Sequence, residues 1–264
     1  MHRIQKAVNK AKGEHVPEPP AQSPEEINAN SLEALRYSRT KVLPAHPDVL
    51  ADNRVIASFA DNVNGQIFRT LRTQVIQKMR ENNWRSLAIT SPTEGEGKSL
   101  IAANLAIAIA LEVNQTVLLV DMNLRNPTLA KRFGIKAEHG LIDCIQGKVE
   151  LQDILVNPGL DRLVLVPGRG SIGSTAEIIS SPKMVSFFKE ARERYQSRIV
   201  IYDMPAILPT DDVLSSIGNI DSALLVLEDG KNSEKDILRA VRQLQKTTVI
   251  GTIVNKYHKG SWVI

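Results

Sequence analysis

The sequence predicts an α/β fold: a doubly wound, mostly parallel sheet with a disordered basic N-terminal extension. Three observations predict it. Apolar, β-branched runs alternate with helical segments between residues 64 and 257, and strands alternating with helices build parallel crossover units. The run Leu87-Ala88-Ile89-Thr90 leads into Ser91-Pro92-Thr93-Glu94-Gly95-Glu96-Gly97-Lys98-Ser99, and a long apolar stretch from Leu100 to Leu111 follows. Strand, glycine loop and helix, closing on Gly-Lys-Ser, is the context a phosphate-binding loop requires, so the sheet is of the P-loop NTPase type. Two more apolar strands, Thr116–Asp121 and Arg198–Asp203, each end in an acid, and functional side chains collect at the carboxyl ends of such strands.

The elements follow in order. Residues 1–14 place Ile4, Val8 and Ala11 on one helical face among Arg3, Lys6, Lys10 and Lys12, an amphipathic basic helix. Such a helix suits a partner or an anionic membrane surface, and equally a frayed terminus. Residues 15–61 hold Pro17, Pro19, Pro20, Pro24, Pro44 and Pro47 and read as a flexible linker, with a helical patch at Pro24 to Arg36. Residues 62–264 form the nucleotide-binding domain. Its first helix, residues 64–82, carries an apolar stripe of Phe68, Leu71, Val75 and Met79, with Gln66, Arg69 and Arg72 on another face. That face is either solvated or a contact surface for a neighbouring subunit.

Beyond the loop and Asp121, the segment Met122 to Pro127 leaves the strand, and Gly140 to Ile145 forms a short helix. Arg162 to Val166 is a strand, followed by a literal GxGxxG at Gly168 to Gly173. The next strand ends at Asp203, too far on for the ribose acid that a dinucleotide site carries about 20 residues later, so this segment is read as a loop. Ser181 to Tyr195 is a helix with Met184, Phe187, Phe188 and Ala191 on its apolar side. Asp211 and Asp212 stand at a helix start, where carboxylates serve as caps. Ala223 to Leu227 and Val249 to Val254 are strands around an amphipathic helix, Ser233 to Gln245.

Composition narrows the function. With 264 residues and 42% hydrophobic content, the chain can bury a full core. Aromatics at 4% are too sparse for base-stacking platforms, and a net charge of +4 is mild, so no nucleic-acid partner is expected. The single cysteine, Cys144, permits no intrachain disulfide and fits a reducing cytoplasm.

The chemistry converges on three strand ends. Glycines 95 and 97 let loop N–H groups turn toward one anion, and the following helix adds its positive end. Residues Thr93, Glu94, Gly95, Glu96, Gly97, Lys98, Ser99 and Leu100 are therefore candidate nucleotide ligands. Lys98 is placed to reach the β- and γ-phosphates, and the Ser99 hydroxyl to ligate Mg²⁺. Asp121 and Asp203 are the acids available to hold metal waters or to act as base. Acting on metal and phosphoryl, they are expected to matter little for folding. Pro92 replaces the consensus glycine six residues before the lysine.

Residues 91–99, 117–127 and 199–205 resemble the Walker A, A′ and B motifs of the bacterial tyrosine kinases, P-loop enzymes of capsule and exopolysaccharide synthesis. The resemblance covers residues 60–257, and Asp121-x-x-Leu124-Arg125-x-Pro127 narrows it. The opening Met1–Lys12 and the run Asp211-Asp212-Val213 also resemble the stand-alone autokinases of exosortase-linked polysaccharide clusters. The resemblance implies ATP and Mg²⁺ as cofactors and tyrosine autophosphorylation with Lys98, Asp121 and Asp203 as catalytic residues. It implies cytoplasmic residence, possible at the inner face of the plasma membrane, beside a membrane-bound polysaccharide co-polymerase of chain-length determinant type. It also implies self-association through Arg69 and Arg72, and Asn255 set against the adenine. Three departures stand out: Asn123 replaces the second A′ acid, Gln66 replaces a glutamate of the assembly helix, and the tail holds one tyrosine, Tyr257, instead of a cluster. They keep open a catalytically weak ATP-binding switch or scaffold. A partitioning-type ATPase is a further alternative, but that branch has a lysine early in its loop, where this chain has Thr93.

Overall fold

Strands that are apolar on both sides need cover on both faces. The computed structural model describes residues 40–58, 63–169, 175–194 and 197–257. Its eight strands are β1 (Lys41–Val42), β2 (Ser86–Thr90), β3 (Thr116–Asp121), β4 (Val156–Asn157), β5 (Leu163–Val166), β6 (Arg198–Asp203), β7 (Ser222–Glu228) and β8 (Thr248–Asn255). They form one sheet in the order β1-β4-β5-β3-β6-β2-β7-β8. Every described pairing is parallel except β4 with β5.

Helices cover both faces. On one lie α1 (Pro47–Asp52), α2 (Val63–Glu81) and α3 (Lys98–Ala110), against Leu87, Ile89, Val117, Leu119, Ile199 and Ile201. On the other lie α5 (Leu141–Ile145), α7 (Pro182–Glu193), α8 (Asp212–Ser216) and α9 (Glu234–Gln243), against Ala88, Leu118, Val120, Val200 and Tyr202. Two short helices, α4 (Leu129–Arg132) and α6 (Thr175–Ile179), sit in the loops near the strand ends. Successive strand residues therefore serve opposite cores, as the pleat demands. Helix α3 is apolar all round because it contacts the sheet on one side and α2 on the other.

The domain begins earlier than the sequence pattern suggests. A flexible linker is expected through residue 61, yet residues 40–58 carry β1 and α1 and bury Leu50, Val55 and Ala57 in the core. Pro44 and Pro47 mislead because both fit ordered structure. Pro47 opens α1, where a missing N–H costs nothing. Pro44 packs so closely on Gly159 that a Cβ there would lie 2.9 Å from the proline Cα. The anchor of the segment is Asn104, fully buried on α3. Its Oδ1 accepts the Ile56 and Ala57 N–H groups at 2.8 and 2.9 Å, and its Nδ2 donates to the Arg54 and Leu100 carbonyls at 3.0 and 2.9 Å. The basic helix expected at residues 1–14 lies outside the described residues, as does the helical patch at Pro24 to Arg36.

Asn104→Ala should strand two N–H groups and destabilise the fold by about 2–4 kcal/mol. Urea denaturation would show a lower midpoint, and limited proteolysis would cut first within residues 54–58. An unchanged midpoint would mean that the segment holds without this anchor.

Candidate functional site

The site is built where β3, β6 and β2 end side by side. Asp121 and Asp203 are register partners across β3 and β6, and Asp203 is also paired with Ile89 on β2. The turn from β2 into α3 is shaped from within. Ser91 Oγ donates to the Thr93 carbonyl at 2.6 Å, and Thr90 Oγ1 donates to the Pro205 carbonyl at 2.7 Å. Gly95 and Gly97 have φ of 82° and 94°, a region that side chains disfavour. Gly97 also leaves no room for one, because a Cβ there would run into the Asn255 amide. Lys98 and Ser99 begin α3 and are buried.

The loop is tied from the β7–β8 side. Glu96 is fully buried. Its Oε1 accepts the Thr93 N–H at 2.9 Å, the Thr93 hydroxyl, and Asn232 Nδ2 at 2.6 Å. Asn255 Nδ2 donates to the Glu96 carbonyl at 2.8 Å. The structure thus brings Asn255 to the loop, but its amide N–H is committed to the backbone rather than presented to a base.

The two acids differ. Asp121 is fully buried, with Oδ2 accepting the Thr128 and Leu129 N–H groups at 2.9 Å each and Oδ1 accepting the Asn123 N–H at 3.2 Å. It therefore anchors the loop after β3 and caps the start of α4, which corrects the expectation that it matters little for folding. Asp203 is equally buried, yet neither carboxylate oxygen has a hydrogen-bond partner among the described residues. Burial pushes both acids well above the usual carboxylate range. The Asp203 charge adds to the rise at Asp121, and the backbone N–H groups oppose it. At Asp203 the Ser99 hydroxyl, close by but short of a well-formed hydrogen bond, and the Lys98 and Arg132 charges oppose it.

Sequence reasoning missed three contributors. Arg132 ends α4 within the field of both acids, with its Nε buried and without a partner among the described residues. A basic residue closing a short helix carries no local signal. Asp212, expected as an ordinary cap, is fully buried. It receives Arg125 through Nε at 2.8 Å and Nη2 at 3.2 Å, and the Thr175 hydroxyl at 2.6 Å. This fork fixes the Arg125 loop against α6 and α8. Gly168 is the third: a Cβ there would lie 2.7 Å from Pro127 and 3.2 Å from the Asp121 carboxyl carbon. The first glycine of the GxGxxG run thus makes room for the acid, and residues 170–174 lie outside the described residues.

The assembly surface needs correction. Arg72 donates to the Ala108 carbonyl at 3.3 Å and pairs with Glu112 at 3.1 Å within its own chain. It packs α2 onto α3, so it does not stand ready for a neighbouring subunit as Arg69 and Arg72 together were expected to.

A glycine loop at a helix N-terminus, a buried Lys-Ser pair and an acid whose two oxygens have no hydrogen-bond partner among the described residues define a P-loop nucleotide-binding protein. Residues 87–261 match the CobQ/CobB/MinD/ParA nucleotide binding domain. The chain belongs to that family and, within it, to the bacterial tyrosine-protein kinases. It is 31% identical over 197 residues to the tyrosine-protein kinase YwqD of Bacillus subtilis, covering 74% of this chain and 81% of that one. It is 26% identical over 210 residues to the succinoglycan biosynthesis transport protein ExoP of Rhizobium meliloti, covering 77% of this chain but 26% of that protein. The fold matches the kinase domain of the Escherichia coli tyrosine kinase ETK with a TM-score of 0.72 and 23% identity, over 85% of this chain and 93% of that one.

The acids make a signed prediction. An acid whose folded pKa is raised costs stability as pH climbs from the ordinary carboxylate range through the folded value. Asp203→Asn should therefore raise the melting temperature of the metal-free protein, more at pH 8 than at pH 5, and should remove stabilisation by Mg²⁺. Asp121→Asn should instead lower stability, by about 1–3 kcal/mol at pH 5, because an amide N–H meets backbone N–H groups, and the loss should narrow as pH climbs through the raised Asp121 pKa. Calorimetry of both variants across pH checks this; equal shifts for the two would contradict the division of roles.

Proposed function

We propose that the chain is an ATP- and Mg²⁺-dependent protein-tyrosine autokinase acting in capsule or exopolysaccharide assembly. The observation that carries the reading is Asp203: a fully buried carboxylate, without hydrogen-bond partners among the described residues, next to Lys98 and Ser99 at the phosphate loop. A buried charge left in this state calls for a cation. Ser99, Asp203 and Asp121 are the residues that would hold Mg²⁺, which when bound neutralises charge on the transferred phosphoryl group. Lys98 would contact the phosphates, and residues 93–100 would supply the loop N–H groups that cradle them. Asp121, already engaged by three backbone N–H groups, would serve through its charge and its hold on the loop more than through free lone pairs. Asn255 would act by holding the loop backbone.

Among the described tyrosines the acceptor is Tyr257. It is exposed and lies two residues past Asn255, whereas Tyr202 is buried against Phe188 and burial raises its pKa. The polysaccharide context rests on the A′ motif and on relatives such as ExoP, and it implies a membrane-bound co-polymerase as partner. No helix among the described residues is long and apolar enough to cross a membrane.

A second reading is favoured by Asn123, which leaves one acid in the A′ motif: a nucleotide-dependent switch that phosphorylates little. Incorporation of labelled phosphate into purified protein, with the modified residue mapped by mass spectrometry, separates the two. The kinase reading expects label on Tyr257, abolished by Lys98→Ala together with ATP binding. Asn123→Asp should raise incorporation severalfold. ATP binding without label in any variant, with or without a co-polymerase fragment, would favour the switch.

A further inference from the structure

The acids flank the phosphate loop on one side, and a group that the nucleotide reading has not used flanks it on the other. The turn after β7, residues 229–233, docks directly on the loop. Asn232 Oδ1 accepts the Glu228 N–H at 2.9 Å while its Nδ2 reaches Glu96. The Asp229 N–H donates to the Asn255 carbonyl at 3.0 Å, and the Lys231 N–H to the Glu228 carbonyl at 3.2 Å. Gly230, at φ 69°, lets the turn close in open space. Ser233 then caps α9, accepting the Asp236 N–H at 3.2 Å. The turn is held at both ends and along its middle.

This turn carries Lys231 to the loop tip. The ammonium donates to the Glu94 carbonyl at 2.6 Å and lies 3.7 Å from where a Cβ on Gly95 would stand. It pairs with Glu228 Oε2 at 3.3 Å, but Lys256 pairs with the same oxygen at 3.1 Å. Two ammonium groups thus share one carboxylate oxygen, so Glu228 does not saturate Lys231. An ammonium has three protons, and the third of Lys231 has no partner among the described residues. The side chain is 39% exposed, so a ligand can reach it.

We propose that Lys231 is a further nucleotide-binding residue: a cation delivered from the β7–α9 turn that contacts the phosphate chain at the mouth of the loop. Its carbonyl contact fixes the ammonium in place before the ligand arrives, which limits the entropy lost on binding. The inference rests on the nucleotide reading of the site.

The test is titration calorimetry with Mg²⁺ and ATP, ADP or AMP, on the wild type and on Lys231→Met, which keeps the apolar stem. A charge contact to the phosphate chain predicts ATP binding weakened about tenfold, as for one partly exposed charge-assisted bond. The deficit should shrink from ATP to AMP, the salt dependence of ATP affinity should become shallower, and Lys231→Arg should recover most of the loss. Lys256→Met, which touches Glu228 but not the loop, should stay within twofold of wild type. Equal deficits for all three nucleotides would overturn the proposal, leaving Lys231 a tie for the loop. No deficit, or an equal deficit in Lys256→Met, would overturn it as well. A wild type that binds none of the nucleotides would instead refute the underlying reading of the site.

Discussion

Two carboxylates buried side by side at the ends of β3 and β6 set the terms for everything around them. Asp121 and Asp203 are both without solvent contact, and their strands pair them directly. Removing a charge from water costs several kcal/mol unless something answers it. The fold answers the two acids differently. Asp121 receives three backbone N–H groups and in return fixes the loop from β3 into α4. Asp203 receives the fields of Lys98 and Arg132 and no completed hydrogen bond among the described residues. One acid is committed to architecture and the other keeps both oxygens without a hydrogen-bond partner among the described residues, at adjacent positions of the same sheet edge.

The phosphate loop depends on the same logic from its other flank. Its backbone is bent at Gly95 and Gly97 into a region that only glycine enters cheaply. Such a loop keeps its shape when outside groups hold it. Asn232 holds the Glu96 carboxylate, Asn255 holds the Glu96 carbonyl, and Lys231 holds the Glu94 carbonyl. All three come from β8 or the turn after β7, more than a hundred residues along the chain. Preorganisation of this kind lets loop N–H groups meet an anion without rearrangement.

Much of the architecture was legible because it is periodic. The long strands and helices follow from apolar patterning, and the helix Val63–Glu81 buries the Phe68, Val75 and Met79 positions its stripe predicts. The segment 40–58 was not legible, because the partners that order it are remote. Asn104 reads as one polar residue in an apolar helix, and Val156–Asn157 as a fragment of loop. Arg72 illustrates the opposite error. Its spacing from Arg69 is a true surface pattern, but the Ala108 carbonyl at the end of α3 and Glu112 in the turn after it draw it inward.

By itself the sequence determined the fold class, the glycine loop with Lys98 and Ser99, and the two strand-ending acids. These are local facts: glycines at fixed offsets, apolar runs of strand length, and an acid where a run stops. Only the tertiary structure decided what each group has left to give. Asp121 and Asp203 look alike along the chain and differ in hydrogen bonding because one faces the N–H groups of a helix start and the other faces Ser99. Asn255 stands at a strand end in both views, but the approach of Gly97 commits its amide to the loop. Free hydrogen-bonding capacity is a property of neighbours in space, and those neighbours are set by which strands the sheet places side by side.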